Sequence, residues 1–111
     1  MSSIWSHHPE TRVPHESIVG YEVEATDGVI GTVDEAQHDP EDAFLVVDTG
    51  HWIFGKQRII PGRLITQIDA ADRKVYLSVS KAKVAGAPDH DSGWRDDQKL
   101  REVIGGHYAE T

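Results

Sequence analysis

The chain contains no cysteine, which removes disulfides, thiolate catalysis and cysteine-ligated zinc or iron–sulfur centres from consideration. No apolar run approaches the roughly 18 residues that a membrane-spanning helix needs, so no transmembrane helix is expected. The opening residues, MSSIWSHHPETRVPHES, have neither the basic start nor the apolar stretch of a secretory signal. A cytoplasmic location is the resulting expectation. There is no phosphate loop, no dinucleotide fingerprint and no G-x-S-x-G elbow. Basic residues are missing from Val13 to Gly55, a span that carries ten acidic ones.

What remains is a chain of 111 residues, 38% hydrophobic and 27% charged, the composition of one globular domain with a small core. Its net charge of −8 argues against nucleic acid, whose binding rests on neutralising phosphates. From Lys56 to Lys83 the balance reverses, with seven basic residues against Asp69 and Asp72. Antiparallel pairing could lay the acidic and basic halves side by side as cross-strand charge pairs. Alternatively, the two halves form a two-faced surface that steers a partner or a second copy.

Short alternating runs dominate the middle of the sequence. Residues 21–25 place Val23 on one face and Glu22 and Glu24 on the other, the period of a half-buried strand. Asp27-Gly28 offers the positive φ angles of a two-residue hairpin turn. The return strand spans about 29–38, with Gly31 permitting a bulge or a close backbone approach. Asp39-Pro40-Glu41-Asp42 makes the next turn. Residues 43–48 form the most apolar strand, followed by 57–60, which Pro61 ends. Strands over 64–69 and 74–80 are joined by Ala70-Ala71-Asp72-Arg73, and Val75, Leu77 and Val79 face inward. Ser80 caps a helical turn over 81–85. Beyond a linker at 88–93, Leu100, Val103, Ile104 and His107 or Tyr108 recur at helical spacing. Gly105-Gly106 restricts that helix to about three turns, too short to be stable unless it packs on something. Residues 1–15 read as a flexible arm, 16–88 as the folded domain, and 89–111 as linker and C-terminal helix.

The loop Thr49-Gly-His-Trp-Ile-Phe-Gly-Lys56 stands out. Two large aromatics and an isoleucine between glycines are unfavourable in water, each worth roughly 1.5–3 kcal/mol when buried. They either close the end of the domain as a lid or anchor a protein partner. Residues 49–68 carry no acidic group but include Lys56, Arg58 and Arg63, which suits an acidic partner surface. Trp52, Ile53, Phe54, Lys56 and Arg58 are therefore the candidate interaction residues. The seven histidines (His7, His8, His15, His38, His51, His90 and His107) form no H-x-x-x-H pair, so no dedicated metal site is expected. In so acidic a chain they should titrate above their ordinary value. Asp34 and Glu35 sit at successive strand positions and should face apart, and Glu41-Asp42 lies in a turn. No carboxylate pair has the separation that acid–base catalysis requires. Neither an enzyme nor a cofactor is expected.

Gly20 and Val23, the turn residues Asp27, Gly28 and Gly31, the loop residues Gly50, Trp52 and Phe54, and Pro61 together resemble the PRC-barrel family. That family includes the barrel of the photosynthetic reaction centre H subunit and that of a ribosome maturation factor. The resemblance covers about residues 16–88. It implies an all-β fold: a small, closed or partly open antiparallel β-barrel of about six strands, here with a short C-terminal helix and an N-terminal arm. It also implies a non-enzymatic docking or assembly module, with the arm and helix free to pack across a second copy as a homodimer. The alternative in the same family is an electrostatic accessory to a redox, electron-transfer or ribosomal assembly.

Overall fold

Alternation in the sequence becomes alternation of faces in the structure, a computed structural model that describes residues 17–39, 42–50, 57–87 and 98–109. Six strands form: β1 (Glu22–Ala25), β2 (Gly28–Asp39), β3 (Asp42–Asp48), β4 (Gln57–Pro61), β5 (Ile65–Asp69) and β6 (Lys74–Leu77). A 3₁₀ turn over Gly62–Leu64 links β4 to β5, and two helices follow, α1 (Lys81–Ala85) and α2 (Gln98–Ala109). The arm, the linker and the loop at 51–56 lie outside the described residues.

The strands make one sheet in the order β4-β3-β2-β1-β6-β5. It is a partly open barrel, because its end strands β4 and β5 do not pair with each other. All neighbours run antiparallel except β1 and β6, which are parallel, with Glu22 opposite Lys74 and Val23 opposite Val75. A uniformly antiparallel barrel is thus modified at one seam. The chain reaches β6 after crossing from β4 through the 3₁₀ turn, and so arrives beside β1 running in the same direction.

The interior is aliphatic. Val23, Ile30, Val33, Leu45, Val47, Ile60, Ile65, Val75 and Leu77 are buried, as is every residue from Ala43 to Val47. That unbroken apolar run therefore belongs to a strand covered on both faces. One covering element is the 3₁₀ turn, where a Cβ on Gly62 would meet the Ala43 side chain at 2.6 Å. Gly31 is held closer still, since a Cβ there would stand 2.0 Å from the Asp48 carbonyl oxygen. The β1–β2 register slips beside it, where Val23 faces Gly31 but Glu24 faces Val29.

Local details depart from the sequence-based expectation in two places. The first hairpin turns on Thr26-Asp27, with Ala25 opposite Gly28, one residue earlier than Asp27-Gly28. The Asp27 carboxylate is instead used to accept the Lys81 N–H at 2.8 Å, at the start of α1. Asp34 and Glu35 are both exposed, and the regular alternation expected across them is broken. The β2–β3 register shifts there, with Val33 opposite Val47 and Glu35 opposite Val46, so Asp34 is a bulged residue and the alternation skips it. The last helix has the expected length of about three turns, 12 residues ending at Ala109, with Gly105-Gly106 inside it. Gly105 is buried within it between Ile104 and Tyr108, so packing outweighs the low helix propensity of glycine. Ser80 caps α1 as expected, its side chain accepting the Lys83 N–H at 3.2 Å.

Candidate functional site

The aromatic loop leaves the sheet where Asp48 pairs with Gln57, and both of its roots are fixed by side chains. The Asp48 carboxylate accepts the Gly50 N–H at 2.9 Å, an Asx turn that Gly50 completes at φ 67°. Thr49 is buried between them. On the return side, the Gln57 amide donates to the Asp34 carboxylate at 2.7 Å, tying β4 across to β2. The bulge at Asp34 is what turns that carboxylate outward, within reach of Gln57. Trp52, Ile53, Phe54 and Lys56 lie outside the described residues. The structure thus defines the base from which they spring.

Arg58, the fifth candidate residue, sits on β4 and is only 4% exposed. Its guanidinium donates to the Gln57 carbonyl at 3.0 Å and, across the fold, to the Ala85 carbonyl of α1 at 3.4 Å. In this arrangement it does not stand on the surface to meet an acidic partner. The reason is the covering layer formed by α1 and α2. Tyr108 of α2 is buried close enough to Arg58 to feel its charge. Burial pushes the Tyr108 phenol well above its ordinary value, and the nearby arginine pulls in the opposite direction. His107 fixes the helix end, with its Nε2 2.8 Å from the Lys83 carbonyl of α1 and its ring edge-on to Tyr108 at 5.0 Å.

Helix α2 therefore finds its support within its own chain, with Ile104 and Tyr108 inward and Val103 outward at 51% exposure. Sequence reasoning missed that Arg58 would be covered, although the signal was present. Strand alternation places Arg58 and Ile60 on the same face, and Ile60 is fully buried.

The acidic strands are partly neutralised inside the fold. Lys74 on β6 lies 3.8 Å from the Glu22 carboxylate and 3.9 Å from that of Glu24, across the parallel seam. Such half-exposed pairs contribute a few tenths of a kcal/mol up to about 1. Among the described residues no group of three histidine or acidic side chains could hold a metal ion, and no helix is long and apolar enough to cross a membrane. His38 departs from the expected rise in histidine pKa: its partial burial lowers it. The cause is desolvation, which disfavours the charged imidazolium.

No family model matches the sequence, and no curated protein matches it. Among solved structures, the fold is similar to a putative 16S ribosomal RNA processing protein, RimM, from Pseudomonas aeruginosa, with a TM-score of 0.48 and 17% identity. The similarity covers 64% of this chain and 48% of that one, so it spans about half the length of the neighbour.

Proposed function

We propose that this protein is a non-enzymatic docking or assembly module of PRC-barrel type, which engages a partner through its aromatic loop and associates with a second copy of itself. The observation that carries this reading is the filled interior. The barrel is packed with its own aliphatic side chains, which leaves its outer surface and loops as the place for function. Trp52, Ile53 and Phe54 act as apolar anchors on a base held rigid by the Asp48–Gly50 turn and the Gln57–Asp34 hydrogen bond. Lys56 orients an acidic partner surface. Arg58, being buried, serves instead to tie β4 to α1. The alternative role, as an electrostatic accessory working through Glu22, Glu24 and Asp34, is disfavoured because these carboxylates are engaged by Lys74 and Gln57.

The test is the double variant Trp52→Ala/Phe54→Ala, checked for folding by circular dichroism and compared with the parent by sedimentation and by pull-down from native extract. We expect a folded variant that has lost both self-association and a discrete partner. A folded variant that keeps both removes the loop from the interface, and an unfolded one makes the loop a structural lid. Loss of binding on neutralising Glu22, Glu24 and Asp34 instead would move the function to the acidic strands.

A further inference from the structure

Between β5 and β6 the chain turns through Ala70 to Arg73, and Arg73 adopts φ 54°, the one left-handed non-glycine residue among those described. A Cβ in that conformation is crowded by the carbonyl that follows, so glycine or asparagine is the usual occupant. The fold draws only on the arginine backbone, whose carbonyl accepts the Glu22 N–H at 3.0 Å, and any residue could do that. The side chain is exposed, and among the described residues it has no hydrogen bond or ion pair. On the adjoining strands, Asp69 accepts the Asp72 N–H at 3.1 Å, and Glu22 and Glu24 lie against Lys74.

Arg73 lines a cleft of about 300 Å³ together with Ser17, Val19, Gly20 and Tyr21. The Ser17 hydroxyl oxygen accepts the Val19 N–H at 3.3 Å, which leaves its own hydrogen free to donate. Gly20, at φ 90°, has open space where a Cβ would stand. Val19, 55% exposed, supplies an apolar wall. A chain with no folding reason to keep an arginine at a strained position thus has one lining an open cleft beside a hydroxyl donor.

We propose that this cleft binds a small oxyanion ligand, with the Arg73 guanidinium gripping a carboxylate or phosphate group and the Ser17 hydroxyl completing the contact. A planar guanidinium matches such groups with two parallel hydrogen bonds. The volume is at the lower end of ligand pockets, which limits the ligand to a small molecule. The site uses none of the residues of the proposed docking loop, so either reading can fail without the other.

The full chain and an Arg73→Asn variant are titrated by NMR with inorganic phosphate, and separately with acetate, at low ionic strength. Asparagine is chosen because it tolerates the left-handed region. Saturable shifts at the Ser17, Gly20 and Arg73 amides are expected, at least about ten-fold weaker in the variant, the scale of one lost charge-assisted hydrogen bond. The melting temperature of the variant should equal or exceed that of the parent. Comparing the two anions tells a phosphate site from a carboxylate site. Shifts that never saturate with either anion, equal affinity in the variant, or a variant that melts several degrees lower would each overturn the proposal. The last result would make Arg73 a structural residue.

Discussion

At Gly31 one methyl group decides whether the sheet closes up. A Cβ there overlaps the backbone of Asp48 and comes within 3.0 Å of Thr49 Cα, and backbone has no rotamer through which to yield. Gly31→Ala is therefore expected to lower stability by roughly 1–3 kcal/mol or more, the range for forced overpacking, seen as a lower urea midpoint. Gly50→Ala is the control. It is left-handed at φ 67° but has nothing within 4 Å, so it bears only backbone strain of about 1 kcal/mol. An equal loss at both positions would show that conformation, not contact, rules at Gly31. Its special role was legible in the sequence, because a glycine inside an alternating strand marks a bulge or a close approach. The lowered pKa of His38 was not, since the net charge of a chain says nothing about which imidazole is partly buried.

The elements differ in how plainly they announced themselves. Strands whose apolar faces alternate, such as β1 and β6, were readable because one buried face imposes a period of two. So was α1, whose start is set by the Ser80 cap. Helix α2 was legible in its spacing and length but not in its facing. Val103 and Ile104 both fit the helical pattern, yet only Ile104 is buried, because the position of α1 and β4 selects the face. We expect Ile104→Ala to cost about 2–5 kcal/mol, as for other buried isoleucines. Val103→Ala should fall within about 0.5 kcal/mol of the parent. Equal effects in thermal or urea unfolding would mean that α2 is not docked through this face. The same packing explains what was hidden about the candidate site. Arg58 was visible as a cation beside an aromatic loop, but its cover is made by residues of α1 and α2, far along the chain from it.

For the molecule as a whole, the buried layer around Arg58 carries a pH signature. Burial raises the Tyr108 phenol above its ordinary value of 10.0. Once the pH exceeds about 10, the unfolded chain releases this proton while the folded chain retains it, so stability falls as the pH rises further. Below that point the group adds no pH dependence. Tyr108→Phe should flatten this alkaline decline in unfolding experiments, and an unchanged slope would place the tyrosine in contact with solvent. The overall barrel was legible because six short strands with close turns leave few alternatives. The parallel pairing of β1 with β6 was not, as it depends on the order in which distant strands join the sheet and not on any local pattern. That seam bears on how the molecule comes together in time. β1 through β4 can zip as successive hairpins, and β5 with β6 as another. The seam between these two groups joins residues about fifty positions apart, a closure whose entropic cost precedes its contacts. On a ribosome the sheet cannot be completed until Leu77 has left the exit tunnel, so its first four strands must wait with the β1 edge open.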